Sequence, residues 1–478
     1  MTKNLFSESK LLIVFSMALF NFIFLGTEYL YDNMMAYVTD AQGVVVAQSY
    51  ILGASVLGFL LFPVLIKQIK SKGWNFWGFA ITVVVVICIF VIQQHMSWET
   101  ILVTGLIVFC LMGVGGSAVC FLTTQIIEDK RHLAKHVGVA YAFGIFLQFL
   151  NNNLVKNDMV ESIVISISCA VFVVLLLKMK EENDCGEEIE REDCKEKTKE
   201  ATLANPTIAG MSLILCVLLM ACVFSTLDNA VTLVHAAGST DIGQWPRLLL
   251  AVSGLFAGVL YDLKNRKFMN LIMYVVTLLS TSCVVLIQMG GSFVVGLLVF
   301  YMSAGFFVVF FTTSFMDLSY STKLPTLWAG LGRAANNLCA ILTGNISTML
   351  LATGNGMVIM IVALLMFAAI SICIAIYELQ LKAPLEKDKD ENIITIIQND
   401  GMNPEEKFEA FSENFLLTDR EQEVLKVLLD SDENVQEIAE QLAISRAALY
   451  RHIASLNEKT NTKSRIGILQ FYYNWKNN

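Results

Sequence analysis

LTDREQEVLKVLLDSDENVQEIAEQLAISRAALYRHIASLNEKTNTKSRIGIL, running from Leu417 to Leu469, decides how the chain is read. Val424, Leu425, Leu428 and Leu429 form one apolar stripe at the spacing of an amphipathic helix. Thr418, three residues before Glu421, predicts a capping box at the start of that helix. A second short helix is expected from Val435 to Leu442, with Ile438, Ala439 and Leu442 inward. Ala443 and Ile444 make a tight turn. Ser445 then caps a third helix carrying Leu449, Ile453 and Leu456 on one side. Two short helices joined in this way form a helix-turn-helix, whose second helix fits the DNA major groove. Arg465 to Tyr472 is expected as a fourth helix, offering Ile468, Leu469 and Tyr472 as a dimer face.

Charge supports that docking direction. From Leu416 to Ile444 only Arg420 and Lys426 stand against eight acids. From Ser445 onward Arg446, Arg451, Lys459, Lys463, Arg465 and Lys476 stand against Glu458 alone. The positive side of the domain is therefore the expected recognition helix and the segment C-terminal to it, where phosphates would lie.

The residues Leu417-Thr418-x-Arg420-Glu421-x-Glu423-Val424-Leu425, then Ile438-Ala439-x-x-Leu442-x-Ile444-Ser445, and then Arg451-His452-Ile453, Leu456, Lys459 and Arg465 together resemble the LuxR-type (NarL/FixJ-like) helix-turn-helix family. The resemblance covers the whole tail. Three positions depart from it: Ser431-Asp432 replaces a glycine between the first helices, Ala448 replaces a threonine, and Thr460-Asn461 replaces Leu-Gly. By position, the resemblance implies that Tyr450, Arg451 and Ala454 face bases, that Arg446, Lys459, Lys463 and Arg465 contact phosphates, and that the domain binds DNA as a homodimer.

Outward from this tail the chain changes character. Of its 478 residues 55% are hydrophobic, 16% charged and only 6 are proline. Apolar runs near twenty residues predict transmembrane helices. Twelve are expected: Leu11–Leu30, Val44–Ile66, Asn75–Ile92, Thr100–Thr124, Val137–Leu154, Val160–Leu177, Pro206–Thr226, Gln244–Tyr261, Phe268–Gln288, Ser292–Phe315, Thr326–Leu350 and Met357–Ile376. The first run is too long for a signal-peptide core and is expected to stay as a span. The net charge of −9 sits largely in connecting segments. The 11 cysteines are scattered, mostly inside apolar runs, and predict neither a metal site nor a disulfide.

Basic residues mark alternate loops. Lys67, Lys70 and Lys72, then Lys130, Arg131 and Lys135, the run Lys178 to Lys199, then Lys264, Arg266 and Lys267, and finally Lys323 all fall on one side; the other side carries almost none except Lys156. The positive-inside rule therefore predicts a multi-pass inner (cytoplasmic) membrane protein with both termini cytoplasmic, the compartment in which a DNA reader meets DNA.

The spans divide six and six around the charged run EENDCGEEIEREDCKEKTKE. The domains expected are residues 1–180, the loop 181–205, the second half 206–378, a charged linker 379–403 and the DNA-binding domain 404–478. Gly258-Val-Leu260-Tyr-Asp262-Leu-Lys264-Asn-Arg266-Lys267, after the eighth span, resembles the loop signature G-x-L-x-D-R-x-G-R-[RK] of the major facilitator superfamily. The resemblance implies a two-halved fold around a midplane site, with the aspartate and bases pairing at a cytoplasmic gate. The corresponding first-half loop, Pro63 to Lys70, lacks the aspartate and glycine, which leans towards a relative that does not transport.

Charged and amide side chains inside apolar runs are candidate ligand groups. Arg333 with Asn336 and Asn337, Glu28 and Asp32 near the end of the first span, and Arg247 at the start of the eighth are the candidates. The expectation is an all-α chain of twelve transmembrane helices plus a four-helix LuxR-type domain, acting as a membrane-bound one-component regulator. Its expected partners are DNA, the lipid membrane and a small-molecule ligand. The alternative is a secondary transporter with a regulatory DNA-binding tail. No residue set for an enzyme and no cofactor is expected.

Overall fold

A segment surrounded by lipid satisfies its backbone only by internal hydrogen bonds, so long apolar runs become helices. The computed structural model describes residues 8–69, 73–127, 130–193, 205–236, 246–288, 293–352, 356–398, 404–430, 435–460, 462 and 464–475. The first half contains α1 (Glu8–Ala36), α2 (Ala41–Gln68), α3 (Trp74–Gln93), α4 (Trp98–Ile126), α5 (Leu133–Leu154) and α6 (Asp158–Asp193). The second contains α7 (Pro206–Ala236), α8 (Pro246–Tyr261), α9 (Met269–Gln288), α10 (Phe293–Ser319), α11 (Pro325–Trp328), α12 (Leu331–Ala352) and α13 (Gly356–Gln398).

A helix occupies each expected span, and among the described residues nine are long and apolar enough to cross a membrane. These are α1 to α7, α10 and α13; α8 and α9 contribute shorter apolar segments, Leu248–Tyr261 and Met269–Cys283. α8, α9 and α12 each include positions whose side chains lie outside the described set.

Three boundaries differ from the sequence expectation. Residues 181–193 of the charged loop continue α6, and residues 379–398 of the charged linker continue α13. Glu and Lys are good helix formers, and Glu386–Lys389 and Lys387–Glu391 pair opposite charges at helical spacing in sequence. The eleventh span does not start at Thr326: α11 ends at Trp328 and α12 begins at Leu331. Between them, a Cβ on Gly330 would lie 2.7 Å from Ser117 Oγ and 2.9 Å from Ser117 Cα, so α4 passes too close for any side chain.

Within the first half α2 packs on α4 and α1 on α5; α5 against α8 and α2 against α12 join the halves. Gly258, the first residue of the loop signature, sits at that seam. A Cβ there would lie 2.7 Å from the Ala134 carbonyl and 3.0 Å from Gly138 Cα, so α5 and α8 meet backbone to backbone.

A separate compact unit spans Lys382–Asn478. It contains α14 (Pro404–Asn414), α15 (Asp419–Asp430), α16 (Val435–Gln441), α17 (Arg446–Lys459) and α18 (Arg465–Asn474). Its own core gathers Val424, Leu425, Leu428, Ile438, Leu449, Ile453 and Leu456, the stripes expected from spacing, with Phe411 of α14. Ile468 and Tyr472 are not free for a partner. They are buried, with the Tyr472 ring 5.0 Å from that of Phe411. The apolar face of α18 is covered by α14, whose aromatic residues lie N-terminal to the helix-turn-helix motif.

Candidate DNA-reading helix and membrane-domain clasp

α15 starts with the expected reciprocal cap: the Thr418 backbone N–H donates to Glu421 Oε2 at 2.8 Å, and the Glu421 N–H to Thr418 Oγ1 at 3.4 Å. The turn before α17 is closed by Ile444 N–H donating to the Ala439 carbonyl at 2.9 Å. This requires Ala443 to adopt φ 51°, a left-handed conformation that costs a residue bearing Cβ about 1–2 kcal/mol. Ser445 then caps α17, its Oγ accepting the Ala448 N–H at 3.2 Å.

With Leu449, Ile453 and Leu456 buried, the opposite face of α17 presents Tyr450, Arg451 and Ala454 to solvent. Tyr450 is 57% exposed. Arg451 is exposed, and its Nε donates to the Ala447 carbonyl at 3.3 Å, one turn back on the same helix. Arg446 is exposed and hydrogen-bonded to Gln436 of α16. Lys459 is engaged inside the domain: Nζ donates to Glu421 Oε2 at 2.6 Å and to the Leu416 carbonyl at 2.7 Å. Lys463 and the side chain of Arg465 lie outside the described residues.

Glu421 is thus a hub. Burial raises its carboxyl, but Lys459, the Ser455 hydroxyl and the Thr418 backbone and hydroxyl all donate to it, and together they hold it down to about 2. The sequence identifies Glu421 as a cap; its grip on α17 is a tertiary fact.

In the membrane domain Arg333 stands on the first turn of α12. Its Nη2 donates to Asn21 Oδ1 of α1 at 2.8 Å, and its guanidinium lies 5.3 Å from the Phe24 ring and 5.7 Å from the Phe311 ring of α10. One turn on, Asn337 Nδ2 donates to Ser55 Oγ of α2 at 2.8 Å, and Asn336 Nδ2 to Asn337 Oδ1 at 3.2 Å. α12 of the second half is therefore clasped to α1 and α2 of the first by two polar bonds. Glu28 and Asp32 both accept from Gln48 Nε2, at 2.9 and 3.1 Å, and Glu28 is also within electrostatic range of Arg333. Arg247 lies in the first turn of α8, its side chain outside the described set. Asn21 is legible in sequence as a lone amide in LFNFIF but not as the partner of Arg333.

A second tie crosses the halves at the loop signature. Asp262 accepts the backbone N–H groups of Lys135 at 2.8 Å and Ala134 at 3.2 Å, the open donors at the start of α5. Arg266 lies 3.6 Å from Asp262, pairs with Asp317 of α10 at 2.8 Å, and donates to the Lys130 carbonyl at 2.6 Å. Lys130 Nζ sits 4.1 Å above the Tyr320 ring. Asn265, where the signature has glycine, has φ 57°, a conformation asparagine tolerates.

Among the described residues no group of three His, Cys, Asp or Glu could hold a metal.

A family model described as an HTH domain matches residues 420–466, which span α15 to the start of α18. No curated protein matches the chain. Among solved structures, the human organic anion transporter MFSD10 is similar with a TM-score of 0.50 at 15% identity, covering 79% of this chain and 99% of that one. The E. coli fucose:proton symporter FucP gives a TM-score of 0.47 at 12% identity, over 76% of this chain and 97% of that one. An outward-conformation structure of FucP, described as a major facilitator superfamily transporter, gives 0.46 at 13% identity, over 76% and 97%. The chain is a multi-pass membrane protein with a transporter-like fold that also carries a helix-turn-helix DNA-binding domain.

Proposed function

We propose that the chain is a membrane-bound one-component transcription regulator. Twelve spans hold both termini in the cytoplasm, α17 reads DNA, and the transporter-like domain senses a small molecule or a state of the membrane. The observation that carries this reading is the outward face of α17. Tyr450, Arg451 and Ala454 are exposed on a helix whose other face is locked into its own domain core. The LuxR-type assignment rests on the residue pattern from Leu417 to Arg465. Arg333 is the sensing candidate. Its guanidinium bonds the Asn21 amide and lies against two rings with Glu28 within electrostatic range, so an anionic ligand would compete with that carboxylate, and a ligand that prefers one arrangement of the two halves shifts output by that preference. No enzymatic step and no cofactor belong to this reading. The alternative, a secondary transporter with a regulatory tail, draws on the Asp262–Arg266 tie, a gate-like device in the second half.

The test is a genome-wide map of DNA bound by the tagged full-length protein, read beside transcript changes on deletion. Discrete sites upstream of the genes that change support the regulator. Absence of such sites, with solute uptake into proteoliposomes that Arg333→Ala abolishes, supports the transporter.

A further inference from the structure

Between α1, α2, α3, α4 and α6 lies a cavity of about 120 Å³. Its wall is apolar: Phe20, Ile66, Trp77, Met112, Phe172 and Leu177 mark its extent. Thr82 is a polar side chain in the wall, and its hydroxyl is turned back to donate to the Gly78 carbonyl at 2.9 Å. A polar guest would find no partner there, and an apolar cavity of this kind excludes water and accepts hydrocarbon.

The rim has a different chemistry. Ile66 of α2 and Leu177 of α6 line the cavity, and the next residue of each helix, Lys67 and Lys178, is an exposed lysine. Trp74 and Trp77, at the start of α3, line the same end, and tryptophan favours the membrane–water boundary. Two exposed lysines that follow lining residues, and two indoles in the lining, match an anionic headgroup carrying an acyl chain.

The cavity also adjoins the clasp. Phe172 in its wall lies 5.8 Å from Phe20, Phe20 lies 5.8 Å from Phe24, and Phe24 carries the Arg333 guanidinium. The slot therefore shares Phe20 and Phe172 with an aromatic chain that ends at Arg333.

We propose that this cavity binds one acyl chain of an anionic phospholipid, with Lys67 and Lys178 holding its phosphate, and that the lipid is the membrane component the domain senses. The binding site stands on the cavity and its rim; its role as a signal rests on the regulator reading above. The test is native mass spectrometry of the full-length protein in detergent, with phosphatidylglycerol or phosphatidylcholine added at equal concentration. The expected result is one retained phosphatidylglycerol per chain, favoured about ten-fold over phosphatidylcholine. Thr82→Phe, which fills the slot, removes retention of both lipids. Lys67→Ala with Lys178→Ala, both at exposed positions, leaves retention but abolishes the preference. A phosphatidylglycerol bearing a photoreactive group in its acyl chain labels peptides of α3 and α6. Equal retention of the two lipids by the unaltered protein overturns the proposal, as does labelling spread evenly over the outer helices. Displacement of phosphatidylglycerol by an equal concentration of palmitate also overturns it, because the occupant is then a free fatty acid. The readout involves no DNA, so its failure leaves the regulator reading standing. Lipid binding without regulated genes would count against the regulator alone.

Discussion

The carboxylate of Asp262 accepts the Lys135 backbone N–H at 2.8 Å, so a residue after the eighth helix caps the fifth. A cap normally belongs to the helix it closes. Here it belongs to the opposite half, and the end of α5 is satisfied only while the halves are together at this end.

Asp262→Ala is therefore expected to loosen the seam rather than only a helix terminus. The lost cap costs about 1–2 kcal/mol, enough to raise the separated arrangement roughly ten-fold. Spin labels at positions 131 and 267, on a background without other reactive cysteines, read the change. The distance distribution should gain a longer component in Asp262→Ala and a smaller one in Asp262→Asn, whose single amide oxygen can accept from only one of the two N–H groups. An unchanged distribution in both would mean the seam is held by Gly258 packing alone.

Arg333→Ala should change the basal expression of the bound genes while the protein stays at normal abundance in the membrane. Arg333→Lys should behave like the alanine variant, because an ammonium does not reproduce the planar contact with Phe24 and Phe311. Quantitative immunoblotting beside a reporter separates the possibilities. Reduced abundance would assign Arg333 to folding, and normal output at normal abundance would remove it from sensing.

Glu421 gives the DNA-binding unit a predictable acid sensitivity. Its folded carboxyl is held at about 2, below the ~4.3 of an unfolded glutamate. Its contribution is therefore fully present above the unfolded value and is lost as pH falls through the folded one, from ~4.3 to ~2. Glu421→Gln should cost about 1–3 kcal/mol at neutral pH and flatten the stability curve in that window. Urea unfolding of the fragment 404–478, which has its own core, measures both effects. A variant as acid-sensitive as the parent would place the titration on another group.

On DNA, Arg451→Ala should cost about 1–3 kcal/mol on a mapped site and relax preference at the base position it contacts. Arg446→Ala should weaken specific and random DNA alike. Fluorescence titration of the fragment on both DNAs distinguishes them. Equal losses from both substitutions on both DNAs would mean that α17 is not the reading helix.

Much of this arrangement is legible in the residues. Apolar runs of this length mark the membrane helices, because a segment in lipid that must satisfy its backbone within itself can do so only as a helix. The stripes at Val424, Leu449 and their neighbours locate the core of the DNA-binding unit, and Gly258 and Asp262 point to the seam. Other features depend on what packs across the fold. Ile468 and Tyr472 look like a dimer face until Phe411 is brought onto them. Asn21 is one polar residue in an apolar run until α12 delivers Arg333. The charged stretches read as loops by composition, although their helix propensity and spaced opposite charges favour continuing α6 and α13.

The bond from Lys459 to Glu421 has a consequence for how the domain responds to salt. A free surface lysine holds mobile counterions and releases them when a phosphate arrives, which makes binding salt-dependent. Lys459 already carries a counterion that is covalently part of the chain and cannot diffuse away. A phosphate approaching it displaces a carboxylate and gains no entropy from the solvent, so this position should be nearly silent in the salt slope. Glu421→Gln would hand the lysine back to the ionic atmosphere. At a pH where the fragment remains folded, that variant should bind with a slope steeper by roughly one unit per bound chain, a measure of how far the domain has neutralised its own basic face in advance.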